Sequence, residues 1–351
     1  MTTTDTALAS PGYLRLSLAA AMTLGYAPGA FYRDARLYCI NLLLTYPEGC
    51  RGRCAYCGLA AGRAEDTRGG RSFIRVQWPA FVLEDIVDRI AARRADIRRV
   101  CISMVTRRRA VADTITVCRR LRAAVDLPVS LLITPTLLQA GDLEALQAAG
   151  ADKVGIAVDL ATPALFERYR GAGVGGPHRW ETYWECCRRA IEVFGRGRAG
   201  VHLIVGMGET EQEMCAAIQR ARDLGGSTHL FSFFPEPGSP MAAHPRPTLS
   251  GYRRVQLARF LIDGGLARAD GFAFGGDGRI AGYGLAPAEL DAVIASGEPF
   301  RTSGCTGRDG IVACNRPFAN SRPGPHLRNY PFPPGPDDLQ RIRRQLQGVT
   351  S

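Results

Sequence analysis

Three cysteines fall within one short stretch, Cys50-Arg51-Gly52-Arg53-Cys54-Ala55-Tyr56-Cys57. The spacing C-x3-C-x2-C delivers three thiolates from a single loop. Three are enough for a [4Fe–4S] cluster, since each takes one iron and leaves the fourth open to a substrate or cofactor; closely spaced Cys thiolates are the usual ligands of such clusters. A zinc site would recruit a fourth Cys or His, usually as a second close pair. His178 and His202, the nearest histidines in sequence, are far away. A second group, Thr302-Ser303-Gly304-Cys305 and Cys314-Asn315-Arg316-Pro317-Phe318, sets two cysteines among Gly, Arg and Asn, where core packing is a poor explanation. It reads either as part of a second metal centre or as an ordinary thiol pair.

The cysteine loop needs a scaffold, and the chain supplies one by alternation. The apolar run 40–44, just before the loop, reads as a strand. Further strands are expected over 100–105, 129–133, 154–159, 201–205 and 229–234, with a short last one at 272–274. Helical spacing occupies 81–90, 111–125, 143–148, 181–194, 209–224 and 252–262, and Gly150 stands where a helix would stop. Apolar strands alternating with amphipathic helices predict an α/β fold with a parallel sheet of βαβ units. Six or seven such units in ~250 residues suit a TIM-like (β/α) barrel, complete or partial, with its chemistry at the C-terminal strand ends. The Cys50–Cys57 loop falls there. Residues 1–36 read as a helical preface, 37–275 as the barrel core and 276–351 as a C-terminal extension. Its segment 299–335 lacks periodicity, but its two cysteines and the aromatics Phe318, Tyr330 and Phe332 favour a functional cap over a disordered tail.

Composition narrows the class. The chain has 351 residues, 46% of them hydrophobic and 22% charged, as in ordinary globular proteins. No apolar run approaches the ~20 residues needed to span a bilayer. The apolar stretch 16–24 lacks the basic flank of a signal peptide. Eleven cysteines, an odd number at irregular positions, argue for a reducing cytosol and metal chemistry and against a disulfide framework. The net charge of +11 comes almost wholly from arginine, Lys153 being the sole lysine. No aromatic residues interleave with the basic groups at 107–109 and 341–344 as a stacking surface would require, so a nucleic-acid partner is disfavoured. A solvated or substrate-steering basic face is the better reading.

Cys50, Cys54 and Cys57, with Tyr56 just before the last cysteine, resemble the signature of the radical S-adenosylmethionine (SAM) superfamily. The resemblance covers roughly residues 36–275 and extends to Gly206-Met207-Gly208-Glu209, which is similar to the turn whose backbone helps hold the SAM adenine. It implies a [4Fe–4S] cluster with an open iron that chelates SAM, and one-electron cleavage to a 5′-deoxyadenosyl radical that abstracts hydrogen from an unreactive carbon. It also implies roles for Asp159 at the ribose or substrate, and for Arg168, Arg170 or Arg179 at the SAM carboxylate. Arg179 is favoured because biotin synthase places an arginine before the corresponding helix. The Gly-Gly-Glu of many members after the second strand is replaced here by Ser103-Met104-Val105-Thr106, so Ser103 or Thr106 takes that place.

The C-terminal cysteines, with 31–35 and 41–46, resemble the two-component lipoyl synthases and their biotin-synthase-like relatives. This implies an auxiliary cluster on Cys305 and Cys314, with Cys101 as third ligand, that gives sulfide to a substrate carbon. Ser130 and Gly200 stand where biotin synthase has its other cluster cysteines, which argues against biotin synthesis. Cys39 is expected to be buried, and Cys118, Cys186, Cys187 and Cys215 to be packing residues on helices. The implied partners are a ferredoxin or flavodoxin, an acyl carrier or lipoyl-domain substrate, and a second radical SAM subunit. Two alternatives remain: a single-cluster radical SAM lyase, epimerase or rearrangement enzyme, and a non-catalytic iron–sulfur subunit of a two-component complex.

Overall fold

The computed structural model describes residues 8–60, 71–73, 76–315 and 327–348. Its strands are β1 (Tyr13–Leu16), β2 (Cys39–Leu44), β3 (Arg71–Phe73), β4 (Val76–Trp78), β5 (Ala80–Val82), β6 (Arg99–Ser103), β7 (Val129–Ile133), β8 (Ala151–Asp159), β9 (Ala199–Val205), β10 (Ser227–Ser232), β11 (Ala273–Phe274) and β12 (Ile280–Gly282). The helices are α1 (Leu18–Thr23), α2 (Leu83–Ala92), α3 (Ala110–Ala124), α4 (Asp142–Ala148), α5 (Pro163–Tyr169), α6 (Trp180–Phe194), α7 (Glu211–Leu224), α8 (Leu249–Gly264), α9 (Pro287–Ser296) and a C-terminal helix (Pro336–Leu346).

Every residue of β2 and of β6 is buried, the pattern of strands covered on both faces. The covering helices bury one stripe each. In α2 it is Leu83, Ile86, Val87 and Ile90, one side of a helix at its natural period. Their ends are written locally: a capping box of Thr210 and Glu213 opens α7, and Gly225, at φ 100°, closes it. The strands join in the order β10-β9-β8-β7-β6-β2-β1-β5. All pairings from β10 to β2 are parallel, whereas β1 runs antiparallel to β2 and to β5. The sheet is a partial barrel with β10 and β5 as its edges.

The short last strand expected at 272–274 is present as β11, and it pairs with β12 in a hairpin apart from the main sheet. Within the described residues 8–36, α1 supplies six helical residues and β1 precedes it as a strand, held in the sheet by Leu14, Arg15 and Leu16 opposite Leu44, Leu43 and Leu42. The apolar pattern of so short a segment does not separate helix from strand; pairing with β2 does.

The segment before β2 meets the C-terminal helix. Ala35, Phe300, Leu327, Tyr330 and Ile342 form their own apolar cluster, and Arg33 pairs with Asp338 of the C-terminal helix at 2.8 Å. Arg253, wholly buried in α8, donates to the carbonyls of Leu327 and Arg328 and to Gln345. Residues 302–315 then cross the N-terminal side of the sheet. Leu230 N–H donates to Ser303 Oγ (2.9 Å), Arg99 Nε to Thr306 O (2.8 Å), Lys153 Nζ to Thr306 Oγ1 (2.9 Å) and Asn315 Nδ2 to Arg36 O (2.6 Å). The extension therefore closes the floor of the half-barrel, while the Cys50–Cys57 loop lies at the mouth. Arg316, Pro317 and Phe318 of its motif lie outside the described residues. Among the described residues no helix is long and apolar enough to cross a membrane.

Candidate active site

The cysteine loop leaves β2 and is fastened at both ends. Cys50 N–H donates to Leu59 O (2.9 Å), Arg51 N–H to Thr106 O beyond β6 (3.0 Å), and Ala55 N–H to Tyr169 O at the end of α5 (2.8 Å). Arg53 adopts a left-handed φ of 57° between the first two cysteines. Gly52 is required by crowding: a Cβ there would stand 2.9 Å from His178 Nε2 and 3.3 Å from Cys50 Sγ. Cys50 Sγ accepts backbone N–H groups from Gly52 (3.3 Å) and Thr106 (3.2 Å), and Cys57 Sγ accepts one from Leu59 (3.4 Å). Such bonds tune the potential of a cluster bound to the sulfurs. Burial pushes the Cys54 thiol up to about 11, so it ionises only when a cation or metal compensates. Among the described residues no three His, Cys, Asp or Glu are drawn together tightly enough for a single metal ion. The donor set fits a cluster, in which each thiolate reaches its own iron.

The loop overhangs a chamber with an empty volume near 1020 Å³, its open mouth included. The three cysteines, Tyr56, Ser103, Thr106, Asp159, Arg170 and His178 line it, with Phe231, Phe233 and Phe234 opposite. Asp159 ends β8 at φ 67°, a conformation that non-glycine residues take at a cost and that turns its carboxylate to Tyr56 OH (2.7 Å). Arg170 pairs with the same carboxylate, donates to Tyr56 OH (2.8 Å) and, through Nη2, to Tyr183 OH (3.0 Å). Tyr183 OH reaches Thr134 Oγ1 (2.9 Å) and His178 Nδ1 (2.8 Å), and Thr136 Oγ1 reaches the same Nδ1 (2.7 Å). Burial, then Arg170, holds His178 down to about 2, so its ring is neutral.

The residues expected at the SAM site separate here. Tyr56, Ser103 and Asp159 line the chamber. Arg179 does not: it is exposed, before the first residue of α6, and Arg168 is exposed on α5. Arg170 is the buried arginine, 5% exposed, and its Nε is buried without a hydrogen-bond partner. A spare buried donor on a lining arginine fits an anionic cofactor group. Gly206, Gly208 and Glu209 form a turn after β9, outside the chamber lining. Glu209 folds back to accept N–H groups from Gly206 (2.7 Å) and Met207 (2.8 Å), and burial raises it to about 7 against those bonds. Glu209 shapes the turn. Gly206 is at φ 97°, and a Cβ there would meet Pro247 at 2.5 Å. No motif spacing in the sequence ties His178 or Tyr183 to the loop; only the fold brings them there.

A second, smaller chamber lies toward the floor, lined by Cys101, Cys305 and Cys314 with Ser130, His202 and His229. Cys305 Sγ is 3.8 Å from His229 Nε2, and Asn41 Nδ2 approaches both Cys314 Sγ (4.0 Å) and Cys39 Sγ (3.6 Å). Burial, then the neighbouring Cys314, pushes Cys305 up to about 11, opposed by Arg99 and Lys153. Cys39 is buried as expected, and it also stands beside Cys314. Cys118, Cys186, Cys187 and Cys215 are buried on helices.

A parallel α/β half-barrel carrying a C-x3-C-x2-C loop and a polar chamber at its C-terminal strand ends defines an iron–sulfur, SAM-dependent class of enzyme. Residues 44–221, just over half of the chain, match the family model of the radical SAM superfamily, and the chain belongs to that superfamily. Membership implies a [4Fe–4S] cluster and SAM. Among solved structures, HydG, a maturase of the [FeFe]-hydrogenase, aligns with a TM-score of 0.52 and 13% identity over 70% of this chain and 53% of its own. The radical S-adenosylmethionine methyltransferase TsrM from Kitasatospora setae, with cobalamin and a [4Fe–4S] cluster bound, aligns at 0.41 and 18% identity over 91% of this chain and 61% of its own. The chain thus spans between 53% and 61% of the length of these two structures. HydG, at its identity, shares the fold alone. A search of curated proteins finds no match.

Proposed function

We propose that this chain inserts sulfur at an unactivated carbon, in the manner of lipoyl and biotin synthases, with a sulfur-donating iron–sulfur centre held by Cys101, Cys305 and Cys314. One observation carries the reading: Leu132, His202 and Phe231 line both chambers, so only a thin shared wall separates a substrate above from those thiols. Cys50, Cys54 and Cys57 would hold the [4Fe–4S] cluster, which with SAM would supply radical abstraction of a hydrogen from the substrate. The protein's part is positioning and shielding. Arg170, fixed by Asp159, Tyr56 and Tyr183, orients the SAM carboxylate, and Ser103 and Thr106 offer hydroxyls at the strand end. Phe231, Phe233 and Phe234 keep water from the reacting carbon. A ferredoxin or flavodoxin is the reductant, and the reaction takes place in a reducing cytoplasm. The substrate acyl chain arrives on an acidic carrier or lipoyl domain that the arginine-rich surface attracts, with a second radical SAM subunit as partner.

The test is iron and sulfide content after anaerobic reconstitution, for wild type and for a Cys305→Ala, Cys314→Ala double variant. About eight irons per chain, falling to about four, is the expected result, followed by loss of cluster sulfide on turnover with an octanoylated carrier protein. About four irons in both proteins sinks the sulfur-donor reading and leaves a single-cluster lyase, epimerase or rearrangement enzyme.

A further inference from the structure

The geometry points to His229 as a ligand of the lower iron–sulfur centre, binding through Nε2 beside Cys305. This inference rests on the auxiliary centre proposed above and adds a nitrogen ligand that no cysteine spacing indicates. His229 Nδ1 lies at the backbone carbonyl of Ser303. A carbonyl only accepts, so Nδ1 carries the hydrogen and Nε2 keeps its lone pair. That lone pair faces Cys305 Sγ at 3.8 Å. A tetrahedral metal with a sulfur bond of ~2.3 Å and a nitrogen bond of ~2.0 Å holds its two ligand atoms about 3.5 Å apart. The observed pair is therefore within a few tenths of an ångström, by that estimate, of sharing one metal atom.

The surroundings follow the pattern of a metal-binding histidine, whose second nitrogen donates to a backbone carbonyl and so fixes tautomer and ring plane. Here the fixing group and the neighbouring thiol come from one short segment. Ser303 holds Nδ1, its hydroxyl accepts Leu230 N–H at 2.9 Å, and Cys305 follows two residues on. The His202 ring packs against His229 with centroids 5.1 Å apart and planes at 76°, limiting rotation. Cys314 and Cys101 supply further sulfurs to the same chamber. When metal enters, the Cys305 thiol proton, which now bridges toward Nε2, leaves to solvent; no oxidant or reductant is needed for that step.

The experiment uses the full chain with Cys50, Cys54 and Cys57 all changed to Ala, so that only the lower centre takes up iron, with histidine nitrogen labelled as 15N. Pulsed EPR of the reduced, reconstituted protein is expected to show a directly bonded histidine nitrogen. His229→Ala abolishes that coupling, and His229→Cys abolishes it while iron content is kept. Iron bound with no such coupling, or with coupling unchanged in His229→Ala, overturns the ligand assignment and leaves the sulfur-donor reading standing, His229 then being a hydrogen-bond partner of Cys305. No iron in a background variant whose circular dichroism is native overturns both. Should that variant fail to fold, the same labelled comparison is made between wild type and Cys305→Ala, Cys314→Ala. Only a nitrogen coupling present in the first and lost in the second supports the assignment.

Discussion

The upper and lower chambers hold the same kind of donor in opposite ways. Above, three cysteines come from one loop of eight residues, fastened by backbone hydrogen bonds to Leu59, Thr106 and Tyr169. Below, Cys101 sits within β6, His229 within β10, and Cys305 and Cys314 arrive on a segment threaded under the sheet. A site made from one loop survives changes elsewhere as long as the loop keeps its shape. A site gathered from distant strands depends on the docking of everything that brings them together. The electrostatics differ as well: backbone N–H groups serve the upper sulfurs, whereas the Arg99 and Lys153 side chains face Cys305 below.

The largest effect tests whether the two sites are separable. Changing Cys50, Cys54 and Cys57 to Ala is expected to abolish reductive SAM cleavage while iron stays in the proposed lower centre; loss of all iron in a natively folded protein breaks the comparison. Arg170→Met leaves the partly buried Asp159 without its guanidinium and costs about 1–3 kcal/mol, measured by urea denaturation, with SAM affinity lost and iron of the proposed lower centre retained. Gly206→Ala forces a side chain into a left-handed φ against Pro247. It costs about 1–3 kcal/mol, read as a fall in melting temperature, and weakens SAM binding without touching lower iron.

The smallest effect is a pH slope. His178 is held down to about 2 in the fold, against 6.5 ordinarily. Between those values the unfolded chain binds a proton that the native ring refuses, so stability falls as pH drops below about 6.5. His178→Gln is expected to flatten that part of the profile in denaturation measured from pH 7 to 5. An unchanged slope would mean that the ring is protonated beside Arg170, and that the upper network is looser than its distances indicate.

By itself the sequence determined the cysteine loop, the alternation of strands and helices, and the placing of that loop at a strand end. Each is written in neighbouring residues: the C-x3-C-x2-C spacing, the all-apolar run of β2, the stripe of α2. The same local reading failed where two assignments had equal local support. Arg168, Arg170 and Arg179 are indistinguishable as letters, and only the turn after α5 buries Arg170 against Asp159. The segment 272–274 reads as a strand and is one, but its pairing with β12 is written only in the packing. His229 lies 76 residues from Cys305, and nothing near either residue announces the other. Tertiary structure decided these points because burial and contact at such separations are properties of the whole packing, set by which strands pair and where the C-terminal segment crosses beneath them.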